Sequence, residues 1–389
     1  MPPPNPYAPA APPAAPGQQA PGWTPPPKPG LIPLRPLTLG TLLGASFQVM
    51  RRNPRPTFGF ALLLAGAVSV ISVIAMGAVG FILFSHPFQG SNTDDQFTLA
   101  AGGIMGGFLL GFFVPLALGL VAFSILQGII ALEVARGTVG EKLKLGGLWR
   151  AGKGRIGVLV GWSLLIAAAA VVFFTIVGAL VGLLTVGFGT DAIGWSILIL
   201  ALAYLAFAVL AAWLGTKTAL VPSILIIERL TLGKAIVRSW RLTHQSFWRT
   251  FGTILLVSVI VNVATSIVTT PVQFIFGIFA GLLNPTGGTE DSIGVTLVIF
   301  AAVLIVVTVV VTAIALIVQS SAVALIYIDL RMRKEGLDLE LARFVEARQA
   351  GDASVPDPYV RTSAGAAPGV GPYGAGSAAP SSSGTSPWS

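Results

Sequence analysis

The chain has 389 residues, 54% of them hydrophobic and 10% charged, and a net charge of +8. A soluble domain carries about a quarter charged residues, so this composition excludes a surface that faces water throughout. With no cysteine and two histidines, His86 and His244, disulfides and Cys- or His-based metal centres are excluded as well.

Residues 1–33 are rich in Pro and Ala and nearly uncharged, a composition that favours extended polyproline conformations and cannot bury a core. No cationic stretch followed by a short apolar core opens the chain, so no cleavable signal peptide is expected. Six apolar spans follow, at roughly 58–84, 99–132, 156–186, 195–222, 250–283 and 293–328. Each reaches the ~20 residues that a helix needs to cross a bilayer, and only a helix satisfies its own backbone in lipid. Pro115, Pro222 and Pro271 are the expected kinks. Residues 346–389, rich in Gly, Ala, Ser and Pro, read as a second disordered tail, which leaves 34–345 as the membrane domain.

The cations set an orientation. The loops at 85–98, 187–194 and 284–292 hold no Lys or Arg, while Arg51, Arg52 and Arg55, the basic residues from Arg136 to Arg155 and from Arg229 to Arg249, and Arg331, Arg333 and Lys334 all fall on the other side. Cytoplasmic loops retain positive charge, so both termini are expected in the cytoplasm, with the cell membrane as the location.

An internal repeat runs through the chain. LTLGTLLGASFQVMRRNPRPTFG (Leu37 to Gly59) aligns without a gap to LTLGKAIVRSWRLTHQSFWRTFG (Leu230 to Gly252), and LKLGGLWRAGKGRIG (Leu143 to Gly157) is a fainter copy. Each copy precedes a pair of spans. The expected fold is therefore an all-α integral membrane protein, six transmembrane helices arranged as three pseudo-repeats of an interfacial amphipathic helix plus a helical hairpin, with disordered tails. Lys234, Arg238 and Arg241 share one face of the third copy, and with Trp240, Lys144 and Arg150 they are the candidate contacts to anionic headgroups. Where the spans meet the basic side, Glu133 with Arg136, Glu228 with Arg229 and Asp329 with Arg331 read as interfacial ion pairs.

No HExxH, GxSxG, Walker A or CxxC motif is present, so no catalytic residue and no cofactor is expected. The fifth span carries a polar stripe, Ser258, Asn262, Thr265, Ser266, Thr269 and Gln273, and the sixth a shorter one, Thr308, Thr312 and Gln319. In lipid such a stripe turns inward, as hydrogen-bonding glue or as the lining of a wet path. Lys217, late in the fourth span, either snorkels to the interface or is a buried anion-binding lysine. The expected function is non-enzymatic: organising or sensing anionic lipid through the basic interfacial helices. The alternative is a small transporter or lipid-handling protein that uses the polar seam. Membrane lipids are the expected partners; nucleic acid is not.

IPLRPLTLG near the start, SILIIERLTLGKAIVRSWRLTHQSFWRTFG after the fourth span and YIDLRMRKEGLDLEL after the sixth resemble the membrane-domain family named after glycerophosphoryl diester phosphodiesterases. The resemblance covers about residues 32–345. It implies a multi-span membrane domain of the kind frequent in high-GC Gram-positive bacteria. The phosphodiesterase barrel needs roughly 250 residues of alternating strands and helices, for which there is no room, so no catalytic residue carries over.

Overall fold

A computed structural model describes residues 30–32, 36–85, 107, 109–141, 145–188, 193–283, 290–352 and 354–359. The first unit is an amphipathic helix α1 (Leu39–Arg52), a long apolar helix α2 (Pro54–Ser85) and its return α3 (Val114–Thr138), entered through a π-helical turn at Leu109–Phe113. The second repeats the scheme with α4 (Leu145–Gly152), α5 (Ile156–Phe188) and a return broken into α6 (Ile193–Thr218) and α7 (Val221–Ile227). The third has α8 (Leu232–His244), α9 (Phe247–Leu283) and α10 (Glu290–Glu335), with α11 (Leu337–Gln349) after it. Thr57–Phe81, Gly111–Thr138, Gly146–Phe188, Gly194–Ile227, Phe247–Phe279 and Phe300–Glu335 are long and apolar enough to cross a membrane. The all-α architecture of six spans in three units is as the sequence predicts.

The repeat motif has a local cause. LTLG places a threonine in extended backbone at both N-caps, Thr38 before α1 and Thr231 before α8. At Thr38 the hydroxyl accepts from Thr41 N (3.3 Å), and the Thr41 hydroxyl accepts from Thr38 N (3.0 Å), a reciprocal capping box. The residue three after Thr231 is Lys234, which has no acceptor to return, and no side-chain cap bond forms there. The prolines divide. Pro222 sits in the first turn of α7, where a missing N–H leaves no bond unmade, so it begins a helix rather than kinking one, while Pro115 follows directly on the π-helical turn, a place where helices bend. Pro271 lies inside the continuous α9.

Going round the bundle, α2, α3, α5, α6, α9 and α10 form a closed ring of packed neighbours, and α3 also packs across it against α10. Packing is concentrated at the basic end. Every residue of Leu126–Ala135 on α3 and of Ser320–Met332 on α10 is buried. At the opposite end α6 is exposed on most of its circumference, touching its neighbours through Ser196, Ile199, Ala203 and Phe207. Apolar surface of this extent would aggregate in water; along spans of this length it is what acyl chains cover.

Arginines close each unit. Arg52 donates to Gly137 O (2.6 Å) and Glu141 O (3.3 Å), Arg155 to Leu230 O (3.0 Å) and Arg229 O, and Arg249 to Leu37 O (3.1 Å) with Asp329 3.6 Å away. In every case the joint between amphipathic helix and first span is tied to the end of the second span of the same unit or to the backbone packed there. Among the described residues the structure pairs these groups with other partners than the neighbouring cations. Glu228 and Asp329 are buried and turn away from Arg229 and Arg331, because residues one or two apart on a helix do not face each other, and Arg136, three residues after Glu133, reaches outward instead. Asp329 takes Leu37 N (2.7 Å) and Arg333 (3.0 Å), Glu133 takes Asn53 Nδ2 (3.2 Å), and Arg136 reaches Asp357 (2.6 Å).

The tails are also shorter than composition suggests. Leu31 and Ile32 are buried, and Leu31 N donates to Gly137 O (2.9 Å). At the other end α11 extends to Gln349, and Tyr359 is buried with its hydroxyl 2.5 Å from that of Thr138. Both segments thus dock on the basic end of α3. The rest of both tails, and the loops 86–106 and 284–289, lie outside the described residues.

Candidate anion-binding site

The basic end holds two layers of charge, and only the outer one is available to a ligand. The inner layer centres on Arg238. Its position on α8, with Ala235, Ser239 and Leu242, is on the buried face, and the residue is 5% exposed. Its guanidinium bridges Glu228 (3.2 Å) on the turn after α7 and Glu335 (2.5 Å) at the end of α10. Tyr327 donates its hydroxyl proton to Glu228 (2.8 Å), and Arg331 binds both that hydroxyl (3.2 Å) and Glu335 (3.1 Å). Two carboxylates and two guanidiniums balance. Burial works against the charge on Arg238, but the hydrogen bond to Glu335 and the field of Glu228 outweigh it and raise its pKa above the ordinary arginine value. Arg238 is therefore a structural cation. The expected shared basic face of Lys234, Arg238 and Arg241 splits: Lys234 and Arg241 are exposed, and Arg238 points inward.

The outer layer lies over this network. Arg238, Arg241, Arg333 and Lys334 with one carboxylate, Glu335, line a recess of about 520 Å³ that Leu242, His244 and Gln245 complete. Arg238 is already paired with Glu228 and Glu335, and Arg333 with Asp329, so Arg241 and Lys334 are the cations that leave the recess positive. Arg333 is tied to Asp329 (3.0 Å), and Lys334 donates to Leu242 O (2.8 Å), so both are held in place rather than free to sweep solvent.

Lys217 adds a cation from below. It is 6% exposed, and its ammonium rests 5.2 Å from the Trp240 ring centre and 5.4 Å from that of Phe247. Among the described residues no carboxylate or hydrogen-bond acceptor reaches this ammonium. It lies near enough to Lys334 for the two charges to repel. The helix α8 covers the stem of the lysine: Ser239 Oγ donates to Lys217 O (2.7 Å) and pins the helices together. Trp240 stacks edge-on to Trp213 (5.3 Å), while Phe247, Trp248 and Phe251 continue the aromatic surface along the start of α9. Two ring faces attract a cation by about 0.5–2 kcal/mol each but leave its charge uncompensated.

Other predicted positions fall elsewhere. Arg150 is exposed on α4, away from this recess, and Lys144 lies outside the described residues. On the seam, Asn262, Ser266 and Gln273 are exposed and Thr265 and Thr269 half-buried. Asn262 Nδ2 donates to Ser258 O (2.8 Å) and Thr269 Oγ1 to Thr265 O (3.0 Å), bonds within α9 that satisfy these groups without a neighbouring helix. Ser258 and Gln319, by contrast, line a central cavity. His244, Arg333 and Lys334 were not among the sequence candidates; the i, i+3 spacing of Arg241 and His244 was the signal available for the first of them. No protein-family model, curated protein or solved structure matches this chain.

Proposed function

We propose that this chain is a non-enzymatic, multi-pass protein of the cell membrane that binds anionic phospholipid from the cytoplasmic leaflet. The phosphate sits in the recess between Arg241, Lys334 and Lys217, and the acyl chains run down the aromatic surface of Trp213, Trp240 and Phe247. The observation that carries this reading is Lys217, 6% exposed, whose ammonium meets no anion among the described residues and lies close to Lys334 on the wall of the recess. A phosphodiester supplies the missing charge, and the surrounding apolar rings suit a lipid better than a free phosphate. The cytoplasmic side is favoured because positive loops stay there during insertion. The resemblance to the phosphodiesterase membrane-domain family is consistent with a lipid-facing role and contributes no chemistry.

The test uses the full chain in nanodiscs of phosphatidylcholine with a titrated share of phosphatidylglycerol, the bound lipid being read by native mass spectrometry. Retention of phosphatidylglycerol should fall at least tenfold in Lys217→Met combined with Arg241→Gln, and should resist competition by millimolar inorganic phosphate. Equal retention of both lipids by the unaltered protein, or displacement by phosphate alone, overturns the assignment. A second reading, a small transporter, draws on Ser258 and Gln319 at the central cavity; there, loss of flux in Ser258→Leu with Gln319→Leu is expected, and unchanged flux dismisses the cavity as a path.

A further inference from the structure

The second spans of all three units converge on a cavity of about 280 Å³ above the charged network. Its lining follows the repeat. Counting back from each buried carboxylate (Glu133, Glu228, Asp329), the residue ten positions earlier lines the cavity in every unit: Phe123, Thr218 and Gln319. So does the residue six positions earlier: Gln127, Pro222 and Val323. The first spans of units two and three add Ser163 and Ser258, each six residues after the glycine that ends its repeat motif. The space therefore surrounds the pseudo-threefold axis of the fold and is built by the repeat itself.

Its chemistry is narrow. No charged side chain lines it. Leu120, Trp162, Ile166, Ile254, Val257 and Val323 make most of the wall, so an ion would enter without a partner and at prohibitive cost. The polar side chains are hydroxyls and amides, and three of the six have partners: Gln127 Nε2 donates to Ala219 O (2.8 Å), Ser163 Oγ to Leu159 O (2.9 Å) and Thr218 Oγ1 to Leu214 O (2.8 Å). Ser124 does not. Its side chain is 4% exposed, and its hydroxyl oxygen lacks a hydrogen-bond partner. A buried hydroxyl left alone is costly and needs a mate. The volume equals that of roughly nine waters at ~30 Å³ each, yet the mainly apolar wall cannot give so many waters two to four bonds apiece. Ile166 and Gly215, on α5 and α6, are exposed while lining the cavity, so it opens between these helices toward the apolar belt.

We propose that this cavity is a binding site for an uncharged single-chain amphiphile of about ten heavy atoms, an alcohol or the like, which enters from the bilayer between α5 and α6 and seats its hydroxyl on Ser124 with its chain against Trp162. The site is separate from the phospholipid site and does not depend on it.

The experiment follows Trp162, which is nearly buried and lines the wall. The full chain, in phosphatidylcholine nanodiscs, is titrated with 10-bromodecan-1-ol, whose bromine quenches a tryptophan in contact. A saturable component of quenching is expected, missing in Trp162→Phe and in Gly215→Leu. The latter fills the space without a clash at its start, since a Cβ on Gly215 meets nothing within 4 Å. Ser124→Ala should weaken the alcohol about five- to tenfold, the worth of one hydrogen bond, and leave 1-bromodecane unchanged. Quenching that rises without saturation and equally in all variants is partition into the bilayer and overturns the site. An alcohol affinity unaltered by Ser124→Ala overturns the seating of the hydroxyl. Repeating the titration in Lys217→Met separates this site from the headgroup site: saturable quenching must persist there.

Discussion

Replacing Arg238 by Met is the sharpest probe of the inner charge layer. The substitution removes the guanidinium that bridges Glu228 and Glu335 and keeps most of the side-chain volume. Glu228, whose side chain is 0% exposed, retains the Tyr327 hydroxyl at 2.8 Å but loses its ion pair. Breaking a buried pair on one side costs about 3–5 kcal/mol, because the surviving charge is stranded. Glu335 is 20% exposed and keeps Arg331 at 3.1 Å, so it adds little, and about 3 kcal/mol is expected. Lys234→Met and Arg241→Met, on the exposed side of the same helix, should each change stability by less than ~0.5 kcal/mol. Equilibrium unfolding of the purified protein in mixed micelles, as the share of denaturing detergent rises, measures all three. Adding Glu228→Gln to Arg238→Met should recover most of the loss, since the amide still accepts from Tyr327 and no charge is stranded. If Arg238→Met is as mild as Lys234→Met, Arg238 faces the headgroups and the two-layer description is wrong.

Three further outcomes are expected. Tyr359 is pushed up to about 12 by burial, which the Thr138 hydrogen bond opposes, so its folded pKa lies above the value near 10 of a free tyrosine. A raised pKa makes its contribution complete below pH ~10 and lost as pH climbs through the folded value, so protease cleavage after Tyr359 should stay slow to pH ~10 and accelerate above it; a constant rate up to pH 12 contradicts the docking. Arg155→Ala, which frees two carbonyls at the turn where Arg229 adopts a positive φ of 52°, should destabilise by roughly 1.5–3 kcal/mol in the same micelle assay. Arg155→Lys should restore only part of this, having no fork to span both oxygens. Orientation can be read with single cysteines, as the chain has none of its own. Ser239 is fully buried and would give no signal, so Lys234→Cys is the reporter for the basic side and Asn92→Cys, outside the described residues, for the other. An impermeant thiol reagent outside intact cells should label 92 and spare 234; the reverse pattern inverts the proposed topology.

How much of this was legible beforehand depended on the range of the forces involved. The spans were readable because each is a local run of apolar residues, and the units because LTLG codes a cap within four positions. Arg238 was not, since its partner Glu335 is 97 residues away and its neighbours Lys234 and Arg241 suggested a solvated stripe. The same limit hid the hairpin ties: Arg52 and Arg155 looked like topology signals, and only the fold brings carbonyls to them. The tails misled for a related reason. Leu31, Ile32 and Tyr359 are single apolar residues in polar or Pro-rich sequence, and nothing local says that the end of α3 will receive them. Pro222 was located correctly but assigned a kink, where the chain instead stops α6 and starts α7.

The charge layers and the cavity are consequences of one construction. Each unit places a carboxylate at the basic end of its second span, and burying three of these around an axis demands polar partners close by: Arg238 of the third unit for Glu228 of the second, Arg249 and Arg333 of its own unit for Asp329, and Asn53 of its own unit for Glu133. That locks the basic end, where α3 and α10 are buried residue after residue. Above it the constraint is absent. There α6 keeps a single line of contact through Ser196, Ile199, Ala203 and Phe207, and the space on the axis is left unfilled. Elements with few buried contacts are those that open at least cost. The proposed amphiphile would meet an opening between α5 and α6 at Ile166 and Gly215 and a floor at Pro222, while the proposed anion would meet the same floor from its charged side. Lys217 lies at the junction of the two, late in α6 and pinned by Ser239, so occupancy on either side bears on the one helix that the packing leaves loose.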